Sequence, residues 1–430
     1  MRWIRRTGLG FIAALYVLAG RWGFHRLAEA VPETNAFLEL RLWIVMGGGV
    51  LASLGLLHRA WREARPGEAR FDGPLITALL GFFGYLCASA SWSPDATFAL
   101  SKLYDLTLVL VMSVGFGLAA LRQPAPRVLD AFWTIIVAAT ALLALTGVRQ
   151  LLSGGGGARL AVMGGGPNIF ARLMGLLALG ALYFWTWRGQ AWLWIPVAAT
   201  GVILALLTGS RGGTAAILAG VTTCLVVARV PLRRLLLLVL LATVAAGGVM
   251  ASPLGEPLRR SVEERFLRLT LNYDGGGGGG RGRGGGGDGE VYLSGREVLY
   301  AAAIQLGRDH PVAGGGLAAF PALRLGVYPH NLFLELFCET GAVGLLLFAG
   351  VLLTFTRSAL KRRQGLDGAT VGAAVLVFLG SQSSGDLYDT RALFLLMVMA
   401  TCTAVPGRST AQARLPASPP LPQPAFTGAT

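Results

Sequence analysis

Apolar residues run along this chain in long blocks, and short polar interruptions bearing arginine separate one block from the next. Blocks of roughly 17–25 residues are long enough to cross a bilayer as α-helices. The pattern predicts twelve spans, near residues 8–22, 36–57, 74–91, 103–121, 128–152, 167–187, 191–208, 213–229, 233–251, 331–356, 368–384 and 391–406. The expected fold class is therefore an all-α integral membrane protein with about twelve transmembrane helices.

Positive charge orients these spans, because loops on the cytoplasmic side retain Arg and Lys. With a cytoplasmic N-terminus, the inside loops carry Arg2, Arg5 and Arg6, then Arg59, Arg62, Arg65 and Arg70, then Arg122, Arg127 and Arg188. They continue with Arg229, Arg233 and Arg234, then Arg357, Lys361, Arg362 and Arg363, and end with Arg408 and Arg414 in the tail. The short outer loops hold one or two each. Both termini are expected in the cytoplasm, which requires an even number of spans. The domain organisation follows: nine spans over 1–251, a long outer segment over 252–330, three spans over 331–406, and a disordered tail over 407–430.

The outer segment contains the tract GGGGGGRGRGGGGDG (275–289), which can bury nothing and reads as a flexible linker. Before it, PLGEPLRRSVEERFLRLTL (253–271) mixes charge with apolar residues and is expected on the membrane surface. After it, Ser294-Gly295-Arg296-Glu297 has the spacing of a capping box at the head of VLYAAAIQLG.

Composition sharpens this picture. The chain is 54% hydrophobic and 14% charged, with a mean hydropathy of +0.60, whereas a soluble protein carries roughly 25% charged residues. The formal net charge of +15 comes almost wholly from arginine, since Lys102 and Lys361 are the only lysines. In a soluble chain such a balance points to nucleic acid. Here the arginines report topology first, so the lipid bilayer is the expected partner and nucleic acid is not. The cysteines (Cys87, Cys224, Cys338, Cys402) lie in apolar segments without metal-ligand spacing and read as small buried residues. The first apolar block lacks a small-residue cleavage site, so a retained first helix is expected.

Charges that do not anchor loops are candidates for function inside a membrane protein. On the drawn topology they collect on the outer side: Arg159 before the sixth span, Arg172 one turn into it, Arg211 in TGSRGG, and Arg296, Arg324 and His330 in the long segment. Clustered guanidinium groups suit an anion, since each can grip phosphate oxygens bidentately and stays charged. Glycines beside Arg211 let the backbone approach such a ligand, and a helix start at Arg296 adds its N–H groups. No D-x-D sequence or His/Asp cluster offers a divalent metal site, so neither metal nor cofactor is expected. Arg324 reads as a solvated or headgroup contact, and Arg391 as a structural partner of Asp386 or Asp389.

His330 differs in kind. Pro329 keeps the preceding residue out of helix and Asn331 can cap the next one, so the imidazole stands at a helix N-terminus. An imidazole is the natural general base for a hydroxyl nucleophile near neutral pH. Glu335 and Glu339 follow Asn331 on one stripe. Within one or two turns of the outer surface they are expected to be wet, and to orient either an arginine or a substrate hydroxyl. A purely structural pairing is the alternative for both.

The series S-x-S-W-S (89–93), Pro167-Asn168, SRGG (210–213), Gly295-Arg296, HPVAGGGLAAF (310–320), PHN (329–331) and ETGAVG (339–344) resembles the O-antigen ligase and polymerase superfamily, over about residues 85–390. The resemblance implies a GT-C-like glycosyltransferase of the inner membrane with its active site facing the periplasm. Such an enzyme takes a glycan from an undecaprenyl diphosphate donor and, in the ligases, moves it to a sugar hydroxyl of a lipid A core acceptor. It further implies that Arg211 and Arg296 engage the diphosphate and that His330 is the catalytic base, with inversion and without metal. Arg159, Asn168, Arg172, Asn331, Glu335 and Glu339 are the supporting candidates. The glycine tract departs from the family pattern.

A polymerase of the same superfamily would use the same donor and extend the glycan instead. A ligase-like enzyme acting on protein or another acceptor is a third reading. From a different class, twelve spans also suit a secondary transporter, although transporters gather their polar residues near the bilayer midplane.

Overall fold

The computed structural model describes residues 2–19, 72–120, 125–152, 166–231, 296–325, 328–385 and 387–404 except Tyr388, together with Leu160 and the pairs 233–234 and 247–248. The helices among them are α1 (Arg2–Ala19), α2 (Gly73–Ser89), α3 (Ala96–Ala120), α4 (Ala125–Leu152), α5 (Pro167–Leu182) and α6 (Trp194–Leu207). They continue with α7 (Arg211–Val227), α8 (Glu297–Asp309), α9 (Ala319–Ala322), α10 (Leu332–Lys361), α11 (Gly368–Gly380) and α12 (Arg391–Cys402). A 3-10 turn over Ala90–Trp92 extends α2, and a π turn over Tyr183–Trp187 extends α5.

All of these except α8 and α9 coincide with expected spans. The span at 36–57, the surface helix at 253–271, the glycine tract and the tail lie outside the described residues, as does most of 233–251. Among the described residues, five helical stretches are long and apolar enough to cross a membrane: Gly73–Trp92, Ala96–Ala120, Ala125–Gln150, Pro167–Trp187 and Leu332–Lys361. α1, α6, α7, α11 and α12 are apolar but shorter. A helix the length of α11 rises only about 20 Å.

Local chemistry sets the helix starts. Asp72, Ser210, Asn331 and Asp367 occupy N-cap positions, and each side chain accepts a hydrogen bond from a backbone N–H in the first turn. Such caps are each worth about 0.5–2 kcal/mol. Pro74 and Pro167 sit at first-turn positions, where no N–H is missed.

α5 forms the centre, buried continuously from Met174 to Leu182. Its neighbours approach through small residues, since apolar side chains gain little from association inside lipid and close backbone packing takes over. A Cβ on Gly201 of α6 would lie 2.6 Å from Met174 O, and one on Gly372 of α11 would lie 2.4 Å from Gly220 O of α7. Within the same core, aromatic rings join α2, α10 and α12. Phe83 meets Phe394 edge-on at 5.0 Å, and Phe82 meets Phe348 at 5.5 Å.

From α2 to α7, and again from α10 to α12, successive helices run in opposite directions, so their loops fall alternately at the two ends. At one end Asn168 meets Ser210, Leu317 meets Ser89, and Asn331 meets Gln382. This is the His330 end. At the other, Arg362 meets Asp72, Trp133 meets Asp367 and Tyr183 meets Asp130. α10 is broken at Gly341 (φ 60°, ψ −158°), leaving a short half-helix at the His330 end and a longer half of roughly 30 Å beyond it.

Candidate active site at converging helix N-termini

The break in α10 is filled by the segment 311–318. Gly315 N donates to Cys338 O at 2.9 Å and Gly316 N to Glu339 O at 3.0 Å. In return Ala342 N donates to Pro311 O at 2.9 Å and Val343 N to Val312 O at 3.1 Å. The backbone groups freed where the helix breaks are thereby satisfied, as a low-dielectric setting demands. Two glycines make this wedge possible. Gly314 (φ +75°) has its missing Cβ only 2.3 Å from Thr340 N, and Gly341 has its own 2.4 Å from Val312 O. The glycines of HPVAGGGLAAF and ETGAVG thus join the C-terminal end of α8 to α10.

At the head of α10, His330 has φ 61°, a left-handed conformation that costs a non-glycine residue about 1–3 kcal/mol and recurs at functional sites. Pro329 before it is buried. Asn331 after it caps α10, accepting from Leu334 N at 3.0 Å, and its amide donates to Gln382 O at 3.0 Å. The imidazole is half-buried and stands edge-on to the Tyr328 ring, 4.6 Å between centroids. The expected helix start is therefore present, with the histidine fixed on both sides.

The arginines converge on the turn 380–385 between α11 and α12. Arg296 donates to Ser383 O. Arg172 donates to Gly380 O at 2.8 Å and also to Ser384 O. Gly212 packs so closely that a Cβ there would lie 2.1 Å from Ser383 Oγ. That contact brings the N-terminus of α7, with exposed Arg211, beside the same turn. Ser210 caps α7 through Gly213 N at 3.0 Å and donates its hydroxyl to Asn168 Oδ1 at 2.5 Å, joining α7 to the start of α5. Helices α5, α7 and α10 thus all begin at this end. α8 begins there too, with Arg296 as its N-cap, and Ser294 of the capping-box spacing lies outside the described residues. Helix N-termini carry partial positive charge, and with the guanidinium groups they make this end suited to an anion.

Glu335 and Glu339 are not the wet, surface-facing pair expected. They are 1% and 2% exposed and enclose Lys102 of α3, whose Nζ lies 2.5 Å from Glu335 Oε1 and 2.6 Å from Glu339 Oε2. Glu335 Oε2 also accepts from Leu387 N at 2.8 Å, and Glu339 Oε2 from Ala318 N at 3.0 Å. The half-helix is roofed by α3, by the wedge segment and by the start of the 387–390 turn, which exclude water from that stripe.

Arg172, Arg296 and Asn331 thus donate to one turn, Arg211 and His330 are next in sequence to residues that touch it, Asn168 is joined to α7 through Ser210, and Arg159 lies outside the described residues. Arg324 is exposed, with φ 55°. Arg391 is buried, 4.0 Å from Asp389, and donates to Val17 O, a structural role as expected. Sequence reasoning missed Lys102, Tyr328 and the turn 380–385. Lys102 carried a usable signal, as one of only two lysines and placed against an apolar run.

Residues 196–349 match the family model described as O-antigen ligase. That stretch runs from α6 past the break in α10 and contains Arg211, Arg296, His330, Glu335 and Glu339. The resemblance read from the motifs to the O-antigen ligase and polymerase superfamily therefore holds across it. No curated protein matches the chain.

Proposed function

We propose that the protein is an O-antigen ligase of the inner membrane, working at the periplasmic face on an undecaprenyl diphosphate-linked glycan. The reading starts from the match of residues 196–349 to the O-antigen ligase family. The observation that carries it further is the grouping of Arg211, Arg296 and His330 around the turn 380–385, at an end of the bundle where helix N-termini meet.

The chemistry follows from the groups present. Transfer of a glycan from a diphosphate carrier needs a hydroxyl to lose its proton and a diphosphate to depart with added negative charge. His330 takes the proton from a sugar hydroxyl of the lipid A core as that oxygen attacks the anomeric carbon from the face opposite the leaving group. The C–O bond to the diphosphate breaks, and the configuration inverts. Arg211 and Arg296 hold the departing diphosphate, a kind of stabilisation for which a single donor is commonly worth about 10²–10³ in rate. The left-handed backbone at His330 and the Asn331 cap fix the imidazole before substrate arrives, which removes an entropic cost from the reaction.

The test is transfer in vitro from a purified undecaprenyl diphosphate-linked glycan to lipid A core. His330→Ala is expected to reach the membrane at the wild-type level and to transfer nothing above background. Full glycan capping by that variant would remove His330 from the mechanism. A deletion strain separates ligase from polymerase: loss of a ligase leaves polymer on the carrier lipid, and loss of a polymerase leaves core capped with a single repeat.

A further inference from the structure

Lys102 lies outside the residues that would touch donor or acceptor in the reading above, yet it joins three pieces of the site. We infer that Lys102, through Glu335 and Glu339, is a positioning residue for the transfer reaction, holding the half-helix behind His330 in register with the turn that carries Arg296; this rests on the glycan-transfer reading.

The geometry supports that role contact by contact. Glu335 and Glu339 are one helical turn apart on the half-helix 332–340, which His330 and its Asn331 cap precede. Glu335 reaches Leu387 N with one oxygen and Lys102 with the other. Leu387 follows the turn whose carbonyls receive Arg172, Arg296 and Asn331. Glu339 reaches Ala318 N with the oxygen that also meets Lys102, and so fixes the wedge segment that follows α8. One ammonium group therefore holds together the support of the base and the support of the arginines. Its side chain is 11% exposed, and those of the two carboxylates 1% and 3%.

Two buried carboxylates need that cation. Without it they would face each other at close range in a low dielectric, and like charges so placed cannot both stay ionised without moving apart. Among the described residues, other ionisable groups lie nearby. Asp105 lies one turn along α3, Cys338 lies between the two glutamates, and Tyr85 of α2 donates to Ala313 O and Thr340 O. Asp389 and Arg391 follow Leu387 and lie 4.0 Å apart. None of these supplies a second ammonium group to the carboxylate pair.

A lysine that only stabilised the fold would, once removed, lower the amount of folded enzyme and leave the turnover of what remains unchanged. A positioning lysine behaves differently. In Lys102→Met the two carboxylates lose the cation that holds them together, the half-helix and the turn separate, and turnover falls. A displacement of about 1 Å would cost roughly 10²-fold in kcat, with KM for the donor little changed. Adding Glu339→Gln to Lys102→Met removes one charge of the pair and is expected to restore most of the loss.

The experiment uses the full chain purified in detergent, with undecaprenyl diphosphate-linked glycan as donor and lipid A core as acceptor. A kcat loss at constant KM that the second substitution rescues supports the inference. A loss confined to KM, a kcat loss without rescue, or wild-type turnover by Lys102→Met overturns it. Should Lys102→Met not accumulate folded, Glu335→Gln takes its place, since it keeps an acceptor for Leu387 N and weakens only the lysine contact. A kcat loss of at least about tenfold at constant KM then supports the inference, and an unchanged kcat overturns it. Absence of transfer by the wild type counts against glycan transfer itself, and an active wild type with an equally active variant counts against Lys102 alone.

Discussion

The two ends of the bundle treat charge in opposite ways. At the Asp367 end, arginines meet carboxylates: Arg188 lies 3.2 Å from Asp130, and Arg362 lies 3.9 Å from Asp72. Asp367 itself is saturated, accepting from Ala369 N, Thr370 N, Thr370 Oγ1 and Trp133 Nε1. At the His330 end the pairing is displaced. The buried glutamates take Lys102, while Arg296 donates to a backbone carbonyl and Arg211 is exposed, and neither arginine meets a carboxylate among the described residues. A carbonyl holds a guanidinium in place without cancelling its charge. At one end two arginines have carboxylate partners, whereas at the other Arg211 and Arg296 keep their positive charge available for a ligand.

Substitutions at the two ends sharpen this contrast. The largest effect is expected from Arg296→Ala, which should lower transfer by about 10²–10³. Its stability should change by no more than about 1.5–3 kcal/mol, the worth of one hydrogen bond to a charged group. Turnover assays beside a thermal melt would check both, and a melt that falls while turnover holds would reverse the assignment of the two ends. Next is Gly341→Ala, where a side chain is forced into φ 60° against Val312 O. It should cost about 1–3 kcal/mol from backbone strain and reduce transfer as well, because the wedge and the half-helix share that contact.

At the opposite end the coupling between stability and activity should vanish. Asp367→Ala removes the cap of α11 and the partner of Trp133, for about 0.5–2 kcal/mol. Transfer per folded molecule should stay at the wild-type level, as measured on detergent-purified protein below its melting temperature. The smallest effect is expected from Arg188→Gln, whose pair with Asp130 is half-exposed and worth about 0–1 kcal/mol. A loss of turnover in either variant would mean that the Asp367 end takes part in the reaction.

Legibility followed the range of the interactions. The start of α10 was readable because Pro329 restricts its neighbour and Asn331 caps the next turn, both through residues adjacent in sequence. Arg211 and Arg296 stood out for the same reason, since charge on an outer loop is unusual whatever the loop touches. Lys102 escapes a reading by apolar blocks because the apolar run begins at residue 103, whereas the helix begins at Ala96 and carries the lysine inside it. The partners of Glu335 and Glu339 were unreadable, since nothing near 335–339 in the chain indicates that residue 102 will pack there. The turn SQSSG (381–385) bears no charge and resembles an ordinary loop until Arg172, Arg296 and Asn331 are seen donating to it.

Hydrophobic blocks, caps and the position of each arginine are local properties, and they alone dictated an all-helical membrane-type chain with its candidate chemistry gathered between particular spans. Which groups would face one another was decided only when the helices packed. Burial in a water-excluded layer converted two glutamates from solvent-facing candidates into the clamp around Lys102. It also turned the carbonyls of an unremarkable turn into the anchors of the arginines. An ion pair across more than 230 residues of chain depends on the approach of whole helices, and that approach is set by small residues such as Gly372 and by the break at Gly341.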